Sequence, residues 1–108
     1  MKEFGDIIAA ARKKLGMSQR ELAAKIVKED GQAISVQYLN DIEHGRRNPP
    51  SSEHLMAQLA KALAIPTDRL MIHAGQLPSD IMSLIQRQPE KAETVLRAFR
   101  RKLDDPQK

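Results

Sequence analysis

An all-α fold is predicted from three features of the sequence. Apolar residues recur three and four apart through almost every segment, the spacing that gathers them on one face of a helix. Ser, Thr, Gly and Pro punctuate those segments where helices begin and end. No stretch alternates apolar and polar residues in the manner of a half-buried strand. Aromatic residues make up only 3% of the chain, so Leu, Ile, Ala and Met must fill the core.

The first helix is expected from about Glu3 to Leu15, with Phe4, Ile7, Ile8, Ala11 and Leu15 on one stripe. Arg12, Lys13 and Lys14 fall in its last turn, where cations oppose the negative end of the helix dipole. Gly16 ends it. Ser18 and Glu21 then form the pattern S-x-x-E, a capping box that opens a second helix running to about Lys28. Leu22, Ala23 and Ile26 face inward, and Ala23 is small where two helices would cross closely. Asp30-Gly31 is a turn signal inside a loop from Glu29 to Ala33.

Ser35 caps a third, short helix, and Leu39 and Ile42 mark its buried face. Gly45 ends it, Arg46 and Arg47 follow at once, and Pro49-Pro50 prevents any return to helix. Ser51 or Ser52 caps a fourth helix to about Leu63, with Leu55, Met56, Leu59, Ala60 and Leu63 inward. Ile65-Pro66 breaks it. Thr67 caps a fifth, Asp68 to Ala74, closed by Gly75. Beyond the connector Gln76-Leu77-Pro78, Ser79 caps a sixth segment to about Arg87. Pro89 opens a last helix to about Lys102, and Asp104 to Lys108 reads as a frayed tail.

The bulk properties narrow the function. A length of 108 residues suits one domain with a short appended element. The net charge of +4 and a pI near 9.6 favour a polyanionic partner. With no Cys, disulfides and thiolate metal sites are excluded. His44, His54 and His73 lack metal-type spacing, no Gly-rich phosphate loop is present, and neither an enzyme nor a cofactor is expected. No apolar run is long enough to span a bilayer, and the N-terminus has no signal-peptide pattern, so a cytoplasmic protein is expected.

The run from Phe4 to Ala74 resembles the lambda-repressor/Cro-like, XRE-like helix-turn-helix regulators. The matching pieces are Ile7-Ile8-Ala9-Ala10-Ala11-Arg12, Met17-Ser18-Gln19-Arg20-Glu21-Leu22-Ala23, and Leu39-Asn40-Asp41-Ile42-Glu43-His44-Gly45-Arg46-Arg47-Asn48-Pro49. A fourth runs from Leu59-Ala60-Lys61-Ala62-Leu63-Ala64-Ile65-Pro66 through Leu70. No piece is specific alone; their order and spacing carry the signal.

The resemblance implies a five-helix DNA-binding domain over residues 1–75, with residues 76–108 as a helical extension. It implies a recognition helix of about residues 35–44 in the major groove of double-stranded DNA, with the second helix across the backbone. Carried over by position, Val36, Gln37, Tyr38 and Asp41 face bases, and Gln19, Arg46, Arg47 and Asn48 stand toward phosphates. Ser18 and Arg20, beside Gln19 at the start of the second helix where backbone N–H groups attract phosphate, and Asn40 are expected there too.

The side-chain chemistry suits these positions unevenly. The Gln37 amide can pair bidentately with adenine, and Val36 can meet a thymine methyl. Tyr38 either touches DNA or packs on the helix surface. Asp41 either accepts from a cytosine amino group or is neutralised by Arg46 or Arg47. Asn40 either contacts phosphate or is solvated, and Glu43 is expected to hold the basic turn. The link between Ile26 and Ile34 is longer than the turn usual in the family. Lys28 could carry it along the DNA backbone, whereas Glu29 and Asp30 argue for solvent.

In the extension, Ala92, Val95, Leu96, Phe99 and Leu103 share a face. That face either buries against a second copy, making a homodimer, or packs back on the first and fifth helices. The expected function is a transcriptional regulator, a repressor binding a two-fold symmetric operator. Two alternatives stand beside it. One is an antitoxin whose C-terminal helices grip a toxin protein, and the other is a protein-interaction adaptor that reads no DNA.

Overall fold

The computed structural model describes residues 3–105. Among them the secondary structure is seven α-helices and one isolated antiparallel bridge. The helices are α1 (Phe4–Lys14), α2 (Gln19–Ala24), α3 (Val36–Glu43), α4 (Glu53–Leu63), α5 (Thr67–His73), α6 (Ser79–Arg87) and α7 (Pro89–Asp104). The chain divides into two compact units, the break falling between Gln76 and Leu77.

The first unit holds the core. Phe4 and Ile8 of α1, Leu22 and Ala23 of α2, and Leu39 and Ile42 of α3 are buried together. Met56, Leu59, Ala60 and Leu63 of α4 and Leu70 and Met71 of α5 complete the cluster, and Ile26 and Ile34 enter it from the α2–α3 link. These are the apolar stripes that the periodicity predicts, except that Ile7, Ala11 and Leu55 are only half-buried and Leu15 lies outside. Leu15 is 48% exposed, because α1 stops at Lys14 and the chain turns away through Gly16.

One approach is set by a residue with no side chain. A Cβ placed on Gly5 would lie 2.3 Å from the Ile42 carbonyl oxygen and 2.6 Å from that of Glu43. Only glycine lets the start of α1 pass this close beneath the last turn of α3.

Boundaries at α2, α5 and α6 differ from those the sequence predicts. The second helix ends at Ala24, not near Lys28. Its last amides tighten, Lys25 N–H to the Leu22 carbonyl and Ile26 N–H to that of Ala23. The β-branched pair Ile26-Val27 then runs extended, as such residues prefer. Val27 bridges Ala33, and Ile34 N–H returns to the Ile26 carbonyl at 2.9 Å. The link is therefore a small hairpin, with Lys28, Glu29, Asp30, Gly31 and Gln32 exposed.

Thr67 does not cap α5, nor Ser79 α6. Each helix begins one residue earlier than predicted, with Pro66 or Pro78 at the cap position and no side-chain cap hydrogen bond. The proline φ of about −57° suits a helix entrance and moves the hydroxyl residue inside the first turn. The caps at Ser18, Ser35 and Ser52 form as predicted.

The second unit contains α6 and α7. Pro89 stands in the first turn of α7 as predicted. Neither helix contains a buried residue. Ala92 is half-buried, while Val95, Leu96, Phe99 and Leu103 are exposed. Helix α7 runs to Asp104, past the predicted end near Lys102, so Asp104 is helical and not part of a frayed tail; residues 106–108 lie outside the described residues.

Candidate nucleic-acid interface

The short helix α3 is built to show one polar face. The Ser35 hydroxyl accepts the Tyr38 N–H at 3.0 Å and fixes the first turn. Leu39 and Ile42 point into the core. At the far end Gly45 takes φ 76°, and the Arg46 N–H closes onto the Asp41 carbonyl at 2.8 Å. The chain therefore reverses so that Arg46 and Arg47 lie beside α3 instead of trailing from it.

Beneath that face lies a buried ion pair. Arg12 donates from Nε to Glu43 Oε2 at 2.7 Å and from Nη2 to Glu43 Oε1 at 2.9 Å. Its Nη1 donates to the Met17 carbonyl at 2.9 Å, which holds the turn between α1 and α2. Arg12 is only 8% exposed, so it is not a surface cation set against the α1 dipole. Glu43 does not hold the basic turn, as the sequence reading expects. The close passage at Gly5 carries the end of α3 over α1, and Glu43 meets Arg12 there.

Burial pushes the Glu43 carboxyl upward, but hydrogen bonds from Arg12 and Gln19 and the Arg12 charge outweigh it. Its pKa is held below the ordinary carboxylate value. The Arg12 guanidinium is raised by its hydrogen bond to Glu43, which outweighs the effect of burial.

From this pair a chain of polar contacts leads to the surface. Gln19 Nε2 donates to Glu43 Oε1 at 2.9 Å, and Gln19 Oε1 accepts from Asn40 Nδ2 at 3.2 Å. Asn40 Oδ1 accepts from Arg46 Nη2 at 2.7 Å. Arg46 Nε donates to Asp41 Oδ1 at 3.1 Å, and Gln37 Nε2 donates to the same oxygen at 2.8 Å. The Arg47 guanidinium lies 5.1 Å from the centre of the Tyr38 ring, within cation–π range. Desolvation raises the Asp41 carboxyl, yet its bonds from Gln37 and Arg46 and the Arg46 and Arg47 charges hold it below the usual range.

The structure thus gathers most of the predicted residues on one side of the first unit. Gln37 is exposed, Asp41 and Asn40 are half-buried, and Arg46, Arg47 and Asn48 are exposed. Tyr38, Arg46, Arg47 and Asn48 line one open groove. Val36 and Tyr38 are half-buried and pack partly against the core. Ser18 is engaged in the capping box, its hydroxyl accepting from Glu21 N–H at 3.0 Å. Arg20 is exposed at the start of α2.

Two supporting contacts were hidden in the sequence. Arg12 and Glu43 carry no local signal beyond their opposite charge. Gln58 of α4 clamps Val27, accepting its N–H at 2.8 Å and donating from Nε2 to its carbonyl. His54 Nε2 lies 3.0 Å from that carbonyl oxygen, so α4 fastens the base of the hairpin.

Among the described residues no cluster of three or more His, Asp or Glu could hold a metal ion, and no helix is long and apolar enough to cross a membrane. In the second unit, Ile81, Leu84 and Ile85 of α6 and Ala92, Val95 and Leu96 of α7 line an apolar groove.

A protein-family model described as helix-turn-helix matches residues 8–70. Two proteins named transcriptional regulator ClgR, from Mycobacterium tuberculosis strains CDC 1551 / Oshkosh and ATCC 25618 / H37Rv, are each 33% identical over 72 residues. The match covers 67% of this chain and 57% of each regulator, so the chain spans little more than half of their length.

Proposed function

The chain belongs to the helix-turn-helix family, and on that premise we propose that it is a sequence-specific DNA-binding transcriptional regulator. The observation that carries this reading is the polar face of α3, where Asn40 and Asp41 accept hydrogen bonds from Arg46 of the following turn and Gln37 donates to Asp41. A helix presenting amides, flanked by cations, fits a major groove, where base edges are read and phosphates are neutralised.

In this reading residues 1–75 bind double-stranded DNA. Val36, Gln37 and Tyr38 face the bases, with Asp41 among them. Ser18, Gln19, Arg20, Asn40, Arg46, Arg47 and Asn48 stand toward the phosphates. Gln19 is already braced between Glu43 and Asn40, which holds the start of α2 against α3. The name of the two relatives supports a regulatory role.

The protein acts as a homodimer, and as a repressor, on a two-fold symmetric operator. Residues 76–108 supply the dimer contact. A two-helix unit with no buried residue has no core of its own, and so small a unit needs a partner. A second copy fits one edge by charge. At helical spacing Glu93 and Arg100 flank one edge of the stripe Ala92, Val95, Leu96, Phe99 and Leu103, and Lys91 and Lys102 the other. Two α7 helices packed antiparallel through that stripe set Glu93 of each copy against Arg100 of the other.

Selection of random duplex DNA on the purified protein tests the reading. Two enriched inverted half-sites are expected. Salt-sensitive binding with no enriched motif would overturn it.

A further inference from the structure

The Gln37 amide is not free to choose its orientation. Asp41 is an acceptor only, so the group that Gln37 turns toward it must be the NH2 end, as the 2.8 Å bond from Nε2 to Oδ1 records. The rest of the chain is fixed in the same way. Glu43 accepts from Gln19, so Gln19 Oε1 faces Asn40 Nδ2, and Asn40 Oδ1 faces Arg46, which can only donate. Arg46 in turn donates to Asp41. Glu43, Arg46 and Asp41 thus fix the amides of Gln19, Asn40 and Gln37, and a flip of any one would set donor against donor or acceptor against acceptor.

We infer that Asp41 is a specificity-determining residue that reads no base itself but holds the Gln37 amide in the orientation that selects adenine. With one Nε2 hydrogen given to Asp41, Gln37 keeps Oε1 and a second hydrogen. Those two groups complement the adenine N6 donor and N7 acceptor. Guanine offers two acceptors there, O6 and N7, and meets the fixed Oε1 unfavourably. The same arrangement explains a carboxylate on a face otherwise suited to phosphate. It is held by Arg46, and it sets the direction of its neighbour. This rests on the DNA-reading proposed above and assigns Asp41 a positioning role within it.

The test is binding of the full chain to duplexes carrying the selected operator and each single-base change, for the wild type and for Gln37→Ala, Asp41→Ala and Asp41→Asn. Loss of discrimination in Gln37→Ala marks the base pair that Gln37 reads. At that same pair Asp41→Ala should lose adenine-over-guanine preference by about tenfold, a loss read as a ratio and so separate from any change in overall affinity. Asp41→Asn, which retains an acceptor oxygen and the side-chain shape, should fall between the two. A mere structural contact would lower affinity for all sequences alike and leave the preference intact. An unchanged preference in both Asp41 variants would overturn the inference, as would a loss confined to a different base pair, which would make Asp41 a reader in its own right. A wild-type protein with no sequence preference would instead remove the DNA-reading on which it stands.

Discussion

Arg12 and Glu43, 31 residues apart, meet in two hydrogen bonds of 2.7 and 2.9 Å that join the end of α1 to the end of α3. Both side chains are out of water, 10% and 3% exposed. Removing one partner leaves the other as an uncompensated buried charge, which costs about 3–5 kcal/mol. Glu43→Ala or Arg12→Ala should therefore lower unfolding stability by that amount in a urea titration. Replacing both by hydrophobic residues of similar volume should recover much of the loss. Additive losses in the double variant would contradict the pairing.

The depressed pKa of Glu43 makes the same contact sensitive to acid. A carboxyl whose folded value lies below its unfolded value stabilises the fold above the unfolded pKa. That contribution disappears as pH falls through the folded one. The ordinary value is 4.5, so the contribution is lost as pH drops below it. Melting temperature measured from pH 7 downward should hold until that region and then fall. Glu43→Gln, which has no proton to take up there, should start lower at neutral pH and show a shallower acid decline.

Gly5→Ala should destabilise the first unit by about 1–3 kcal/mol, the usual cost of overfilling a packed contact. The new methyl group meets backbone oxygens of Ile42 and Glu43, which cannot rotate away as a side chain can. Thermal unfolding measures the loss. The same variant should weaken operator binding beyond what its stability explains, because relief of the clash must shift α3. A variant as stable and as tight as wild type would refute the close approach.

Gly5 and Arg12 also mark the limit of what the chain reveals before it is folded. The helices were legible because their signals are local. Ser18 and Glu21 are three apart and cap each other, and Ser35 reaches the Tyr38 N–H three residues on. The stripe of α4 follows from spacing alone. Arg12 reads as an ordinary last-turn cation because nothing near it in sequence shows that Glu43 arrives overhead. The end of α2 is hidden for the same reason. Its polar residues permit a longer helix, and the decision lies with Val27, which is held by Gln58 of α4 and pairs with Ala33. On the interface, the residues of α3 could be named from position, but not that Gln37, Asp41 and Arg46 engage one another first.

Gln37 and Arg46 should fail in different ways. Gln37→Ala removes a base contact, so it should cost about 1–3 kcal/mol on the best operator and blur one base pair. Arg46→Ala removes a charge aimed at phosphate, so it should weaken all sequences nearly alike and flatten the dependence of affinity on salt by about one unit per protomer. Binding isotherms at several salt concentrations separate the two. Equal salt slopes for Arg46→Ala and wild type would take Arg46 off the backbone.

The proposed dimer makes a prediction that charge reversal can read. If two α7 helices pack antiparallel through the apolar stripe, Glu93 of one copy faces Arg100 of the other. Glu93→Lys alone sets base against base at both symmetric contacts, and Arg100→Glu alone sets acid against acid. Each variant alone should shift toward monomer in sedimentation. A mixture of the two should form a heterodimer, because both contacts are again complementary. The decisive case is one chain carrying both changes, which is complementary once more in an antiparallel pair and should be dimeric. A double variant that stays monomeric would reject the antiparallel arrangement, and single variants as dimeric as wild type would move the contact away from this edge of α7. Leu96→Glu places a carboxylate in the middle of the apolar face and should give a monomer whatever the direction of packing.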